Sequence, residues 1–315
     1  MSSATVSSSL AAPRALGEGS HIRVVAPSSP FDADALRRGI ERLRSRFVVS
    51  HRDDLFERAG FLAGSDERRA EELVAALEDE RVDVLVAARG GYGATRLLRV
   101  LDLDRIARAR KPIVGFSDVT ALHALWALAG VPSMHGAMVA TLGRVEPPLV
   151  ERWMRALAAP PAQFEELMVV VPGSAQGPLR GGNLAVLAAL SGTPYAMPLD
   201  GAILLLEDVG EAPYRVDRML TTLRDAGALA RVAGVAVGAF TESRPGSDGT
   251  VVEAVLRERL GDLGVPVVLG LPVGHVEDNH EVWLGARARL DATTRTGTLR
   301  TDAFAVARPR KPGVI

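Results

Sequence analysis

Ser117 and Asp118 stand where a short strand pattern meets a helical one. Residues 113–115 are apolar or glycine, and apolar residues at helical spacing follow the pair (Leu122, Leu125, Trp126 and Leu128). A serine at such a strand–turn–helix junction projects its hydroxyl beyond the sheet, beside the unpaired N–H groups of the helix start, as a nucleophile elbow does. The usual elbow has glycine two residues after the serine, where this chain has Val119. The junction therefore also fits a serine or aspartate that only caps the helix.

A glycine-rich turn, Arg89–Gly93, follows an almost entirely apolar strand pattern at 83–88. Glycines at 90, 91 and 93 allow the backbone to come close to a ligand. Their spacing does not fit G-x-G-x-x-G, and no Gly-Lys-Ser/Thr follows as in a P-loop, so a turn without a ligand remains the alternative. In a parallel sheet this turn and Ser117 would lie at the same edge, where ligands bind.

Hydrolysis by a serine needs a base and a group that orients the base. The chain has six histidines, four of which flank early strands or lie in predicted loops (His21, His51, His135 and His280). His123 lies on the helix after Ser117, and its side chain is expected to point away from the turn. His275 follows an apolar strand pattern, and Glu207 ends the apolar run 202–206. Spacing alone does not bring these residues together, so a solvated loop histidine and a solvated strand end remain alternatives.

Composition excludes several classes of function. The net charge of -1 gives no electrostatic footprint for nucleic acid. No apolar stretch reaches the roughly 20 residues of a membrane span, and no cysteine is present, which fits a reducing compartment. No H-E-x-x-H occurs, and the acidic and histidine residues at 275–280 fit a solvated loop better than a metal site. We predict no metal and no cofactor.

The pattern along the chain predicts an α/β protein with two domains. Residues 1–20 are rich in serine and alanine without a secretory signal pattern and are predicted to form a disordered tail. Strand and helix patterns alternate over 21–145 and predict a parallel sheet that carries Ser117. Prolines accumulate over 146–177, which predicts a linker. A second unit, 178–315, carries Glu207 and His275.

Several short motifs follow one another along the chain: V-V-A-P-S-S at 24–29, F-L-A-G-S-D-E-R at 61–68, A-R-G-G-Y-G at 88–93, G-F-S-D-V-T-A-L-H at 115–123, H-G at 135–136, G-G-N-L at 181–184, the segment 206–220 and G-H at 274–275. Together they make the chain resemble the LD-carboxypeptidases, a family that includes the microcin C self-immunity hydrolases. The resemblance runs from about Arg23 to Asp291. This family does not use glycine two residues after the serine, so Val119 is no objection.

The resemblance implies a Ser-Glu-His triad in which Ser117 is the nucleophile, His275 the base and Glu207 its orienter. It implies an oxyanion hole made by the backbone N–H groups of Gly91 and Asp118. It also implies an N-terminal Rossmann-like sheet of the class I glutamine amidotransferase type, a smaller C-terminal β/α domain, and an active site in the cleft between them.

The implied activity is that of a cytoplasmic serine carboxypeptidase, in a homodimer. It would remove D-alanine from muropeptide tetrapeptides in peptidoglycan recycling. The alternatives are an immunity hydrolase that cleaves aminoacyl or peptidyl nucleotide analogues, and a binding protein without catalysis. Arg89 is a candidate for holding the substrate carboxylate, with a structural ion pair as its alternative. Tyr92 and Trp283 are candidate stacking platforms. Trp283 stands where the family usually has proline, which leaves the local loop shape open.

Overall fold

The structure is a computed structural model that describes residues 16–303. The helices are α1 (Ala33–Arg44), α2 (Asp66–Glu78), α3 (Leu103–Ala109), α4 (Thr120–Leu128), α5 (Val139–Leu142), α6 (Pro147–Ala156), α7 (Leu184–Leu190), α8 (Pro213–Asp225) and α9 (Val252–Gly261). The strands are β1 (His21–Val25), β2 (Val48–Ser50), β3 (Val84–Ala87), β4 (Ile113–Gly115), β5 (Ser133–His135), β6 (Ala162–Val171), β7 (Ser174–Asn183), β8 (Ile203–Val209), β9 (Gly234–Thr241), β10 (Val267–Leu269), β11 (Val282–Leu284), β12 (Arg287–Asp291) and β13 (Thr296–Thr301).

The N-terminal half forms the predicted parallel sheet. Its order is β11-β5-β4-β3-β1-β2, and all pairs from β2 to β5 are parallel. All four residues of β3 are buried, in keeping with the almost entirely apolar pattern of this segment and its place inside the parallel sheet. Asp32 and Ser65 cap α1 and α2 by accepting hydrogen bonds from the N–H groups of Ala35 and Arg68. The α/β class with a parallel sheet is thereby confirmed.

The end of the predicted tail is packed rather than disordered. Residues 1–15 lie outside the described part of the chain. Leu16 is 2% exposed, and the Gly19 N–H donates to the Arg46 carbonyl oxygen at 2.7 Å. None of the helices between residues 16 and 303 has the length and apolar character that a membrane crossing needs.

The C-terminal half is built on a closed barrel of seven strands in the order β10-β6-β13-β12-β7-β8-β9. The segment 146–177, predicted to be a linker, forms α6, β6 and the start of β7, so that prediction is wrong for these residues. The prolines mislead because Pro147 and Pro148 occupy the first turn of α6, where a missing N–H costs nothing. The burial of β6 also lacks a clean alternation of buried and exposed residues that would identify a strand.

Near its C-terminal end, the chain returns to the N-terminal sheet. β11 pairs antiparallel with β5, with Val282 opposite His135 and Trp283 opposite Met134. The predicted boundary at 178 therefore does not separate two independent stretches of chain. The apolar faces of α4 and α7 also share one core cluster, which includes Trp126, Leu184 and Leu187.

His123 is fully buried between β4 and β5. Its Nε2 lies 2.9 Å from the Gly115 carbonyl oxygen, and its Nδ1 lies 2.9 Å from Ser133 Oγ. A carbonyl oxygen only accepts, so Nε2 carries the proton and Nδ1 accepts from the serine hydroxyl. Burial lowers the pKa of His123 to about 3. The ring thus ties α4 to the strand that precedes Ser117, as a neutral imidazole.

Replacing Gly143 by alanine is expected to destabilise the fold by about 1–3 kcal/mol. A Cβ at this position would lie 1.8 Å from the Ala35 carbonyl oxygen, so α1 and α5 would have to separate. Gly261→Ala is the matched control, because its Cβ would meet no atom within 4 Å at the end of α9. Urea unfolding should show Gly261→Ala unchanged or slightly more stable. Equal stability of Gly143→Ala and the wild type would contradict the close approach.

Acid should destabilise the protein through His123. Below about pH 6.5 the unfolded chain binds a proton at this residue, whereas the folded chain does not until about pH 3, so stability falls as the pH falls through this window. Between pH 7.5 and 5 the wild type should lose about 2 kcal/mol more unfolding free energy than His123→Gln. Urea unfolding of both proteins at the two pH values checks this, since the other titrating groups are common to both. An equal loss of unfolding free energy in the wild type and in His123→Gln would contradict a buried, neutral His123.

Candidate active site

Ser117 lies in a short 3-10 turn, Ser117–Val119, between β4 and α4. Its φ is +63°, a left-handed conformation that residues other than glycine rarely adopt. Strain of this kind typifies a nucleophile elbow and persists only where the surroundings hold it. The predicted strand–turn–helix junction is therefore present. Ser117 is partly exposed at the end of the sheet.

The glycine-rich turn lies directly against this elbow. A Cβ on Gly90 would come 3.1 Å from Ser117 Cβ and 3.3 Å from its Oγ. Gly91 has a φ of +105°, and a Cβ there would lie 2.5 Å from Ser29 Oγ. The Ser29 hydroxyl oxygen accepts a hydrogen bond from the Tyr92 N–H at 3.1 Å. Glycine is thus required at 91 both by conformation and by space, and Gly91 itself is exposed.

Asp118 contributes its side chain to this assembly. Its carboxylate is buried, and Oδ2 accepts a hydrogen bond from the Ala94 N–H at 2.8 Å. Burial raises the pKa of Asp118, and hydrogen bonds, including that from the Ala94 N–H, oppose the rise. The residue after Ser117 therefore fastens the elbow to the glycine-rich turn, a role that the sequence did not reveal.

Glu207 and His275 meet in the structure. Glu207 lies near the end of β8 and is fully buried, and its Oε2 lies 2.7 Å from His275 Nδ1. Because the carboxylate accepts at Nδ1, the Nε2 of His275 is left free to accept a proton. Burial raises the pKa of Glu207, but the neighbouring imidazoles of His135 and His275 lower it more, to about 2. The carboxylate is therefore ionised.

His275 lies beside the serine elbow. The ring of Phe116, the residue before Ser117, packs edge-on against the His275 ring with centroids 4.8 Å apart. The His275 carbonyl oxygen accepts from the Thr241 hydroxyl at 3.0 Å. The preceding Gly274 N–H donates to Asn279 Oδ1 at 2.9 Å. Backbone contacts on both sides thus fix the loop that presents the imidazole.

Hydrogen bonds join the elbow helix to the strand of Glu207. The Asn183 N–H donates to Thr120 Oγ1 at 3.0 Å, and the Asn183 side-chain amide donates to Asp208 Oδ1 at 2.9 Å. Burial raises the pKa of Asp208 to about 6, against the hydrogen bonds that it accepts. Sequence reasoning missed this linkage of Thr120, Asn183 and Asp208. The only signal was that all three residues fall within the motifs of the resemblance.

The three predicted substrate-binding residues, Arg89, Tyr92 and Trp283, differ in their exposure and contacts. Arg89 is exposed and forms no ion pair between residues 16 and 303; its Nη1 donates to the Pro30 carbonyl oxygen at 2.8 Å. Tyr92 is 49% exposed and packs against the exposed ring of Phe61. Trp283 is 5% exposed, and its indole N–H donates to the Ala156 carbonyl oxygen at 2.8 Å. Trp283 is therefore a core residue, and its prediction as a stacking platform is wrong.

Two other histidines, His135 and His280, were both predicted to lie in loops, and the structure confirms this for one of them. His135, predicted in a loop, is the last residue of β5 and is fully buried. His280 is in a loop, as predicted, beside Asp278 and Arg152. No group of three or more histidine, aspartate or glutamate side chains in the described part of the chain could hold a metal ion.

A large groove of about 980 Å³ lies apart from these residues. It is lined by residues that include Leu128, Gly130, Arg180 and Met197, at the opposite end of α4 from Ser117. A cavity of about 20 Å³ lies instead beside Phe116 and is lined by Asn279 and Glu281 among others. None of the predicted site residues lines the large groove.

Family models match both halves of the chain. Residues 22–136 match the LD-carboxypeptidase N-terminal domain, and residues 176–290 match the LD-carboxypeptidase C-terminal domain. A putative carboxypeptidase of Streptomyces coelicolor is 40% identical over 95% of this chain and 99% of its own length. The murein tetrapeptide carboxypeptidase of Pseudomonas aeruginosa is 30% identical over 86% of this chain and 92% of its own.

Solved structures agree with these matches. The muramoyltetrapeptide carboxypeptidase from Oxalobacter formigenes has a TM-score of 0.83 and 31% identity, over 90% of this chain and 99% of its own. The microcin C7 self-immunity protein MccF in complex with aspartyl sulfamoyl adenosine has a TM-score of 0.84 but 21% identity, over 94% of this chain and all of its own, which is a likeness of fold alone. With both domains matched and relatives similar over most of their length, this chain belongs to the LD-carboxypeptidase family of serine peptidases.

Proposed function

We propose that the protein is a carboxypeptidase that uses Ser117, Glu207 and His275 as a catalytic triad. The observation that carries the proposal is the 2.7 Å contact between Glu207 and His275 Nδ1, next to a serine held at a φ of +63°. This contact fixes the tautomer in which His275 Nε2 accepts the proton of the Ser117 hydroxyl. The active site would lie in the cleft between the parallel sheet and the barrel, with residues from both.

The reaction would proceed through an acyl-enzyme. Ser117 Oγ attacks the scissile carbonyl carbon as His275 takes its proton, and the oxyanion receives hydrogen bonds from the N–H groups of Gly91 and Asp118. His275 then gives the proton to the leaving amine as the peptide bond breaks. A water molecule, deprotonated by His275, hydrolyses the ester and restores Ser117. The buried Glu207 carboxylate stabilises the imidazolium that forms in both steps.

The proposed substrate is a muropeptide tetrapeptide, cleaved between the L-centre of diaminopimelate and D-alanine. Relatives that are 30–32% identical bear names of murein peptide carboxypeptidases. Arg89 is proposed to hold the terminal carboxylate, because its exposed guanidinium uses Nη1 on Pro30 and has further donors to offer. Tyr92 would line the same entrance. We place this activity in the cytoplasm, in a homodimer, without a metal or cofactor.

An immunity hydrolase for aminoacyl nucleotide analogues is the second candidate. The likeness in fold to MccF, whose structure holds aspartyl sulfamoyl adenosine, favours it. Such a site would need an aromatic surface for the base, and Trp283 is buried. Phe61 and Tyr92, with ring centroids 5.8 Å apart, are the exposed aromatic pair beside the glycine-rich turn. The third candidate, a binding protein without catalysis, is the one that a labelling experiment addresses directly.

Ser117→Ala should abolish hydrolysis while leaving the fold intact, because alanine has no nucleophile and fits the same backbone. We expect kcat for D-alanine release to fall by a factor on the order of 10⁴ or more. A fluorophosphonate should label the wild type but not this variant. Ser45→Ala, which removes an exposed hydroxyl at the end of α1, is the control and should keep full activity. Cleavage by Ser117→Ala at the wild-type rate would disprove the triad, and a wild type that resists labelling would favour the binding protein.

Substrate competition should favour the muropeptide. We expect kcat/KM for the tetrapeptide ending in D-alanine to exceed that for an aspartyl adenylate by roughly tenfold or more, since Trp283 is buried in the core and the aromatic pair Phe61 and Tyr92 is exposed to water. The matched tetrapeptide ending in L-alanine controls for stereochemistry and should be cleaved far more slowly. A higher kcat/KM for the adenylate would replace the first candidate with the second.

A further inference from the structure

His135 is a buried histidine that faces the outer oxygen of Glu207. Its Nε2 lies 3.8 Å from Glu207 Oε1, and both side chains are fully buried. This distance is within ion-pair range and longer than a hydrogen bond. Neither ring nitrogen of His135 has a hydrogen-bond partner within residues 16–303, and the same holds for Glu207 Oε1. Two polar groups that lack other partners thus point at one another.

Packing alone does not account for an imidazole at this position. The ring of His135 lies 5.6 Å from the Phe116 ring and 6.4 Å from the His123 ring, centroid to centroid. A phenylalanine could fill such a site without burying unpaired nitrogens, whose desolvation costs about 1–3 kcal/mol. His123 differs in this respect, because Ser133 and Gly115 satisfy both of its nitrogens. The polarity of His135 is therefore directed at Glu207.

The two oxygens of Glu207 have separate neighbours. Oε2 contacts His275 Nδ1 at 2.7 Å. Oε1 faces His135, which lies on β5 of the parallel sheet. A carboxylate held at one oxygen only can rotate about its terminal bond. An N–H directed at the other oxygen opposes that rotation and partly offsets the burial of the charge.

We propose that His135 is a positioning residue, which directs its Nε2–H at Glu207 Oε1 and so keeps Oε2 on His275. The proposal rests on the proposed function, since it concerns the same triad. The parallel sheet thereby contributes to the orientation of a base that the barrel half of the chain carries. Its effect should fall on the reactivity of Ser117 and not on substrate binding.

The test compares His135→Phe, which fills the space without a donor, with His135→Gln, whose amide can donate at a similar reach. The rate of fluorophosphonate labelling of Ser117 is measured together with kcat and KM for D-alanine release. We expect His135→Phe to lower the labelling rate and kcat about tenfold to hundredfold, with KM changed less than about twofold. His135→Gln should recover most of the loss. His51→Gln is the control, because His51 lies outside the proposed site: its Nδ1 contacts the neighbouring Arg52 carbonyl oxygen and its ring packs against Phe56.

A double variant separates positioning from a general loss of structure. In Glu207→Gln the carboxylate is gone, so adding His135→Phe should lower the labelling rate no further. Thermal unfolding and circular dichroism verify that each variant is folded. Wild-type labelling and kcat in His135→Phe would overturn the proposal, as would an equal loss in His135→Gln or full additivity with Glu207→Gln.

The same series distinguishes this proposal from the proposed function. If Ser117→Ala still cleaves, or if Glu207→Gln reacts like the wild type, then the triad itself is wrong. If both lose activity but His135→Phe does not, then only the role of His135 is wrong. Labelling by a fluorophosphonate needs no peptide, so a mistaken substrate would not obscure the result.

Discussion

The buried carboxylate of Glu207 is the constraint around which the candidate site is arranged. A charge with no exposure to water persists only with close partners, and the imidazole of His275 at 2.7 Å is the nearest. The backbone is crowded around it: a Cβ on Gly274, in the loop of His275, would lie 2.8 Å from Glu207 Oε2. Glycine at this position therefore allows the loop to close over the charge without displacing it.

The strained conformation of Ser117 depends on a second set of contacts. A φ of +63° costs about 1–3 kcal/mol, which neighbouring interactions must offset. Asp118 binds the Ala94 N–H after the serine, and His123 binds the Gly115 carbonyl oxygen before it. Thr120 accepts from the Asn183 N–H across the domain contact. The elbow is thus fixed from three directions, two of them within the sheet domain and one from the barrel.

The sequence allowed prediction of features that depend on neighbouring residues. Local periodicity was enough for the buried β3 and for the strand–turn–helix junction at Ser117. The contact of Glu207 with His275 spans 68 residues, and only the family resemblance suggested it. β6 and Trp283 were missed because each owes its place to pairing with distant strands, which neither periodicity nor composition encodes.

The return of the chain through β11 connects the C-terminal half to the N-terminal sheet. The loop that carries His275 leads directly into β11, which pairs with β5, and Val282 lies opposite His135. One strand pairing therefore fixes the end of the histidine loop and the strand that faces Glu207 Oε1. A change in register by one residue would move both relative to the carboxylate, since alternate residues point to opposite faces of a sheet. A cut at residue 178 would remove β11 from the chain segment that forms the rest of the parallel sheet. The proposed triad and its supporting histidine therefore require the intact chain.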